Sequence, residues 1–294
     1  MRAPPTKAHP GSQGSPSTFS GAFALLPGGF ETMVPAMSLA GRTAVITGGG
    51  RGIGAAVARS LAEQGARVLL AARSRDQVES LAGALVGQGL DAHAAACDVT
   101  DEDSVAELVR AASAALGHVD ILVNNAGTAS SASIERTTLE EWNRIMAVNA
   151  TGPFLCTRAF IGGMAKRGWG RVVNVASITS RVGSKYIAAY TASKHAVLGF
   201  TRVAAAEYGG SGVSVNAVCP GYVDTEMTAE SVARVVERTG LDGASALSAI
   251  LDTVNQKRLI SVDEVAFVVT SLCHEHAGGI NGQPIVIDGG GLLA

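Results

Sequence analysis

A tyrosine and a lysine stand four residues apart, at Tyr190 and Lys194, in a stretch whose pattern predicts a helix over residues 187–208. Residues four apart share one face of a helix, so these two side chains lie side by side. A free phenol has a pKa of about 10, too high for proton transfer at neutral pH. A neighbouring ammonium favours the phenolate and lowers that pKa, so the pair predicts a general acid or base.

A serine follows a buried run at the point where a ligand is expected. Residues 170–176 predict a strand, and Ser177 comes directly after it. Ligand crevices form at this end of parallel strands, so the Ser177 hydroxyl is placed to hold a substrate oxygen beside the phenol. Ser180 is the rival for this role, but it precedes Tyr190 by 10 residues rather than 13 and ranks second.

A glycine-rich loop, residues 47–54 (TGGGRGIG), lies between the first predicted strand and a helix. Glycines allow the backbone to approach a pyrophosphate, and the helix N-terminus supplies N–H donors and positive potential. The loop therefore predicts a dinucleotide site. A glycine-rich turn without a ligand is the alternative, and the strand before and the helix after it argue against that alternative.

The segment after the second strand indicates which dinucleotide is bound. An NAD site usually has an acidic residue there for the ribose hydroxyl, but none lies between Gln64 and Arg75. Arg73 follows the strand instead, and Arg51 lies in the glycine-rich loop. Arginine pairs with a 2′-phosphate, so NADP(H) is the expected cofactor, with NAD(H) as the alternative. Arg73 as a solvated loop residue is the competing interpretation.

The elements that must position these groups alternate between strand and helix. Apolar runs predict seven strands, at residues 43–47, 67–72, 91–96, 119–123, 170–176, 213–218 and 284–287. Helices are predicted between them, including one continuous helix over residues 138–168. This alternation predicts an α/β fold with a single doubly wound, Rossmann-type parallel sheet and helices on both faces.

Two segments depart from this alternation. Residues 224–260 have helical character and no strand, which predicts a substrate lid, with a plain pair of surface helices as the alternative. Residues 1–38 are rich in Pro, Ser and Gly, which predicts a disordered tail or a chain that truly starts at Met37. Either is favoured over an organelle-targeting peptide, because basic residues are scarce in this segment. Residues 39–294 are the predicted catalytic domain.

Composition argues against several classes of function. The formal net charge is −2 without a Lys/Arg cluster, so neither nucleic acid nor an anionic membrane is an expected partner. No apolar run reaches the roughly 18 residues of a membrane helix. The residues of the Cys-His-Glu-His string at 273–276 are too close together to wrap a metal ion, so no metal site is expected. Scattered cysteines indicate reduced thiols and a cytoplasmic location: Cys97, Cys156, Cys219 and Cys273.

Five motifs together resemble those of the commonest branch of the short-chain dehydrogenase/reductase family. The resemblance covers about residues 39–290. The loop at 47–54 matches its T-G-x-x-x-G-x-G, and residues 124–127 match its N-N-A-G. Asn149 matches its helix asparagine, residues 220–221 match its P-G, and the catalytic trio is matched by Ser177, Tyr190 and Lys194.

The resemblance implies a role for each matched residue. Tyr190 would be the general acid or base, Ser177 would position the carbonyl, and Lys194 would bind the nicotinamide ribose. Asn149 would hold a water in a proton relay, although a structural role is open for it and for Asn125. Cofactor contacts, with Asp98 and Val99 at the adenine, would come from Gly48, Arg51, Gly52, Ile53, Gly54, Arg73, Asp98, Val99, Asn125, Ala126, Gly127, Tyr190, Lys194, Pro220, Gly221, Val223 and Thr225.

The implied reaction is hydride transfer between a nicotinamide and a carbonyl or secondary alcohol, and NADP(H) suggests the reductive direction. The stretches at 213–221 and 281–289 resemble reductases of 3-oxoacyl thioesters of acyl carrier protein or coenzyme A, a likeness shared with many other members. Two alternatives stay open, oxidation of an alcohol or hydroxyacyl-CoA with NAD, and a regulator that senses the dinucleotide without reacting. A homotetramer is also implied.

Overall fold

The computed structural model describes residues 38–252 and 254–292, and the predicted tail lies almost wholly outside them. A seven-stranded sheet runs through the described part in the order β3-β2-β1-β4-β5-β6-β7, with every neighbouring pair parallel. The predicted doubly wound Rossmann-type fold is confirmed. The strands are β1 (Thr43–Thr47), β2 (Arg67–Ala72), β3 (Ala92–Ala96), β4 (Ile121–Asn124), β5 (Gly170–Val175), β6 (Val213–Pro220) and β7 (Pro284–Ile287).

The central strands are buried along their whole length, as the unbroken apolar runs of a sheet covered on both faces require. Helices alternate with them along the chain: α1 (Gly52–Glu63), α2 (Arg75–Val86), α3 (Glu102–Leu116), α4 (Leu139–Met146), α5 (Gly152–Arg167), α6 (Ala188–Tyr208), α7 (Glu226–Thr239), α8 (Gly243–Leu251) and α9 (Val262–Leu272). One core lies under α1, α2 and α9, around Leu61, Leu85 and Val269. A second lies under α3, α5 and α6.

The sheet order reverses between β1 and β4. The chain moves outward through β2 and β3 on one side, and β4 returns to pair with β1 on the other. Thr47 and Asn124 are register partners at the carboxyl ends of these two strands. Because the crossovers on either side diverge here, a crevice opens outside these strand ends, and ligands of open α/β sheets bind in it.

The predicted helix over residues 138–168 is continuous from α4 through α5, but residues Ala147–Thr151 within it form a π turn. Pro153 lies in the first turn of α5, where a missing N–H is tolerated. Gly152 lies against the loop that follows β3, since a Cβ there would be 2.7 Å from Val99 Cγ2. The widened turn carries Asn149, and π turns are found frequently at functional sites.

The segment at 224–260 contains α7 and α8, which agrees with its helical character. Its two ends are joined where Val223 and Ile260 form a parallel bridge. Helix α9 follows and was not predicted, although Ser261 and Glu264 form a capping box that marks its start in the sequence. Within the described residues, no helix is long and apolar enough to cross a membrane.

Candidate active site

A cavity of about 500 Å³ lies at the carboxyl ends of the strands around the β1/β4 crevice. Seventeen of the predicted site residues line it: Gly48, Arg51, Gly52, Ile53, Arg73, Asp98, Val99, Asn125, Ala126, Gly127, Ser177, Tyr190, Lys194, Pro220, Gly221, Val223 and Thr225. The remaining two, Gly54 and Asn149, are absent from its lining and contact residues that line it. The structure therefore brings the predicted residues together, and their roles stay predictions.

The glycine-rich loop folds back on the residues after β4. A Cβ at Gly54 would lie 2.2 Å from Gly48 O and 2.5 Å from Asn125 Nδ2, so only glycine fits there. The Asn125 amide donates to the carbonyls of Thr47 and Gly48, each at 3.0 Å. Thr47 Oγ1 accepts from the N–H groups of Asn125 and Ala126 at 3.1 and 3.2 Å. These bonds fix the loop against β4.

The start of α1 fits a pyrophosphate. Its N-cap residue, Arg51, makes no side-chain capping bond, and its first turn contains no acidic residue. The N–H groups of that turn therefore lack a side-chain acceptor, and together with the helix dipole they create a positive potential at this end of α1. Gly48 holds the loop in a left-handed conformation, φ 63°, beside Ala126. The bare cradle and the uncapped helix end together suit the phosphates of a dinucleotide.

The far end of the cavity carries opposite charges. Burial would raise the pKa of Asp98, but hydrogen bonds from the Thr100 N–H and hydroxyl, at 2.9 and 2.7 Å, and the charge of Arg73 outweigh it. The pKa of Asp98 therefore lies below its usual value. Arg51 forms an ion pair with Glu226 at the start of α7, whereas Arg73 has no ion-pair partner in the described part of the chain. Within these residues the Arg73 charge therefore acts on Asp98 from beyond ion-pair distance and is available to an anion.

The two candidate serines face different surroundings. Ser177 caps a short 3₁₀ turn (Ile178–Ser180), with its Oγ accepting from Thr179 N at 3.2 Å, and it lines the cavity. Ser180 is 1% exposed, and its Oγ donates to Ser177 O at 2.6 Å and contacts Cys219 Sγ. The Ser180 hydroxyl is thus committed beneath the cavity, which favours Ser177 for contact with a substrate oxygen.

Tyr190 and Lys194 lie on the same face of α6, with Lys194 Nζ 5.7 Å from the Tyr190 ring centre. The Lys194 Nζ donates to Val175 O at 2.8 Å. Burial lowers the pKa of Lys194 to about 8. Burial also raises the pKa of Tyr190, and a hydrogen bond with Ser177 offsets only part of that increase. The Tyr-Lys spacing predicts a lowered phenol pKa, but burial dominates in the folded structure, and the opposing effect comes from Ser177.

Asn149 connects three elements. It is fully buried in the π turn, and its amide bonds both the N–H and the C=O of Thr128, at 2.8 and 2.9 Å. The same amide nitrogen donates to Ser193 Oγ at 3.1 Å, and Ser193 precedes Lys194 on α6. A Cβ at Gly127 would lie 3.5 Å from Asn149 Oδ1 and 3.8 Å from Lys194 Nζ. Asn149 thus fixes the loop after β4 against the helix that carries the pair.

Some residues of the cavity wall were not predicted. Thr128 and Ala129 line it directly after the predicted N-N-A-G motif, and Thr228 and Glu230 line it from α7. Met227 also lines the cavity, and it is one of the apolar residues of the predicted lid segment. In the described residues no cluster of side chains suited to a metal ion is found. Cys273, the first residue of the Cys-His-Glu-His string, donates its thiol hydrogen to Val269 O.

A family model described as short chain dehydrogenase matches residues 42–235. The chain belongs to this family. The match covers the glycine-rich loop, the N-N-A-G motif, the π turn, Ser177 after β5 and the pair on α6. The chain is accordingly an NAD(P)-dependent oxidoreductase of alcohol and carbonyl groups.

Relatives are matched over nearly the whole of their own length. The chain is 38% identical over 255 residues to a putative ketoacyl reductase of the monensin polyketide synthase from Streptomyces virginiae, covering 85% of this chain and 96% of the relative. It is 36% identical over 253 residues to a D-beta-hydroxybutyrate dehydrogenase from Rhizobium meliloti, with 85% and 98% covered. A solved actinorhodin polyketide ketoreductase with NADPH superposes with a TM-score of 0.82 at 35% identity, covering 85% and 96%.

Proposed function

We propose that the chain is an NADP(H)-dependent reductase that acts on a ketone, of the 3-oxoacyl thioester kind or similar. One observation carries this proposal: Ser177, Tyr190 and Lys194 line the same cavity as the glycine cradle and Arg73. The ketoacyl reductases among the relatives, one of them solved with NADPH, support the substrate class and the cofactor.

The residues of the chain divide the work between binding and proton transfer. The glycine-rich loop and α1 hold the cofactor phosphates, Arg73 pairs with a 2′-phosphate, and Lys194 bonds the ribose. When bound, the cofactor supplies the hydride that the carbonyl carbon receives. Ser177 donates a hydrogen bond to the carbonyl oxygen and holds it near Tyr190. The Tyr190 hydroxyl then gives its proton to that oxygen as negative charge develops.

Reduction requires Tyr190 to start as a proton donor, and burial raises the pKa of this phenol. A phenol above its usual pKa is fully protonated at neutral pH, so it stands ready as an acid rather than as a base. Oxidation of an alcohol or hydroxyacyl-CoA with NAD needs the opposite state of the same group. That second function is supported by the hydroxybutyrate dehydrogenase among the relatives, and a panel of substrates with both cofactors separates the two.

A panel of acetoacetyl thioesters, simple ketones and secondary alcohols, each tested with both cofactors, is the direct test. We expect reduction of thioester ketones with NADPH to give the highest kcat/KM. Faster oxidation of secondary alcohols with NAD would overturn the proposal in favour of the second function. Binding of a dinucleotide without turnover of any member of the panel would instead revive the regulatory alternative.

Replacing Arg73 with aspartate should weaken NADPH binding more than NADH binding, because the lost partner touches only the 2′-phosphate. A charge-assisted hydrogen bond contributes about 1.5–3 kcal/mol, so the ratio of the two Kd values should shift by about tenfold or more. Arg75→Asp is the matched control, since Arg75 lies two residues further on and outside the cavity lining. Fluorescence titration measures both Kd values, and equal loss for the two cofactors would make Arg73 merely structural.

Residues 224–260 are proposed to act as a lid over the substrate. Met227, Thr228 and Glu230 of α7 line the cavity, and Arg238 near its end donates to Ser131 Oγ at 3.2 Å. We expect protease cleavage in this segment without cofactor and protection when NADPH is bound, because ligands stabilise the closed arrangement. Cleavage at the same rate with and without NADPH would favour the alternative of a rigid helix pair. The tetramer and the cytoplasmic location stay predictions.

A further inference from the structure

Tyr186 holds an unfavourable backbone conformation close to the catalytic pair. It lies four residues before Tyr190, with φ 68°, in the left-handed region that residues with a Cβ rarely adopt. Among the described residues, Lys257 is the one other non-glycine residue with positive φ. Such conformations persist where the surrounding structure enforces them, and they cluster at ligand sites. Here Ala132 N donates to Tyr186 O at 2.7 Å, and Ala132 bridges Ile187.

The strained backbone does not serve to bury the ring. Tyr186 is 59% exposed, so its side chain belongs to neither of the large cores. An exposed aromatic ring gains nothing from packing that would compensate for the backbone conformation. The conformation instead leaves the ring exposed to solvent. This position is close to the cavity in the chain, because Ala132, whose N–H donates to Tyr186 O, lies three residues after Ala129 of the cavity lining.

Other exposed apolar side chains lie on the segments fastened to this loop. Ile134 is 82% exposed and follows Ala132, and Leu241 is 42% exposed and follows the end of α7. Arg238 fastens that end of α7 to Ser131, next to Ala132. Met227, 37% exposed, lines the cavity from the same helix. These four residues, Ile134, Tyr186, Met227 and Leu241, are called the rim below.

The rim residues lie on segments that adjoin the cavity: Met227 lines it, Tyr186 lies four residues before Tyr190, and Ile134 follows the loop of Thr128 and Ala129. Most of the cavity lining belongs to the glycine-rich loop, the adenine end and the residues after β6, which the cofactor would occupy. Beyond the trio, the wall consists mainly of Thr128 and Ala129 on one side and the first turn of α7 on the other. A substrate with more than a few atoms beyond its carbonyl would therefore extend toward these segments, where the rim side chains are exposed beside charged neighbours such as Lys185 and Glu135.

We infer that the rim, with Tyr186 as its main contact, selects ketones that carry an extended apolar segment, such as a medium-length acyl chain, over polyols and small hydroxy acids. This inference rests on the proposed function, because it assumes that a carbonyl is held by Ser177 and Tyr190. Apolar contact with the segment beyond the carbonyl adds binding in proportion to the area removed from water. The reacting carbon is the same for short and long substrates, so the preference resides in binding.

The test compares acetoacetyl and 3-oxooctanoyl thioesters of one small thiol, with NADPH. Wild type should show a kcat/KM for the longer substrate about tenfold or more above that for the shorter, since each buried methylene adds binding. Tyr186→Gly should remove about fivefold or more of the longer substrate's kcat/KM, mostly through KM, and leave the shorter substrate within about twofold. Tyr186→Phe should keep the preference, because it keeps the ring.

Two controls make the result decisive. Glycine accepts positive φ, so Tyr186→Gly should not lower the Tm, which excludes misfolding as the cause. Val86→Ala removes an exposed apolar group, 55% exposed, from the end of α2 and should leave the ratio unchanged. Equal kcat/KM values for the two thioesters would overturn the inference while the proposed function stands. A Tyr186→Gly variant whose mass by light scattering changes, but whose preference between the thioesters does not, would also overturn it. Reduction of neither thioester would instead contradict the proposed function.

Discussion

Tyr190→Phe is expected to lower kcat by about a hundred-fold or more, the range that general acid catalysis contributes. Phenylalanine keeps the ring and its contacts in α6, and only the hydroxyl that lies in the cavity is lost. The cofactor cradle is formed by other residues, the glycine-rich loop and the loop after β4. We therefore expect the Kd for NADPH to change little while the rate of the chemical step falls.

The measurement is a steady-state assay with the preferred thioester, together with a fluorescence titration of NADPH. Tyr208→Phe is the matched control, because Tyr208 ends the same helix and lies about 27 Å along it, at 1.5 Å per residue. The control should keep wild-type kcat. Near-normal turnover by Tyr190→Phe would remove Tyr190 from its role as proton donor, and an equally impaired Tyr208→Phe would indicate damage to α6 in general.

Lys194→Met is expected to lower activity and raise stability together. The ammonium is lost from the proposed ribose contact and from the cavity, where a small misplacement of reacting groups can cost about a hundred-fold in rate. Burial lowers the Lys194 pKa to about 8 from 10.5, so the charged form destabilises the folded state at neutral pH. That pKa shift corresponds to about 3 kcal/mol of destabilisation that the methionine variant removes. Loss of the hydrogen bond to Val175 O offsets about 1 kcal/mol of this gain in stability.

The sign of this stability effect depends on pH. Between about pH 8 and 10.5 the unfolded chain still holds a proton that folded wild type has released, so wild-type stability rises with pH. The methionine variant lacks this group. Its advantage in Tm, a few degrees at pH 7, should therefore shrink as the pH increases through this window. Thermal melts at pH 7 and pH 9.5 test this, with Lys166→Met on the surface as the control; a lower Tm at pH 7 would contradict the expectation.

Most of the fold could be predicted from the sequence because it depends on local patterns. The strands at 43–47, 67–72 and 284–287 agree with the structure to the residue, since apolar runs between glycines and charges mark them sharply. Local patterns leave the strand order open, because pairing depends on contacts between segments far apart in sequence. The π turn also escaped, since residues 138–168 have a continuous helical pattern and the extra residue is accommodated by packing of Gly152 on Val99.

Site residues could be predicted where the backbone geometry allows only one residue type. They were harder to predict where their position depends on how distant segments pack together. Gly54 belongs to the first kind, because any Cβ would meet Gly48 O. Thr128, Thr228 and Glu230 belong to the second kind, since their place in the cavity depends on how α7 and the loop after β4 are held. The pKa of Tyr190 also escaped prediction. Spacing shows that Lys194 is near, but the extent of burial that raises the phenol pKa is a property of the folded structure.

The π turn has a consequence for how the chain tolerates changes in length. A π turn accommodates one residue more than the α-helix around it. Deleting Ala147 would let α4 and α5 merge into one regular helix whose two flanks keep their faces, while the residues of the turn itself, Asn149 among them, would change position. Asn149 would then lose register with Thr128 and Ser193, which it bonds at 2.8–3.1 Å. A gap of a single residue at 147–151 should therefore be more damaging than substitution of many individual side chains in the same helices.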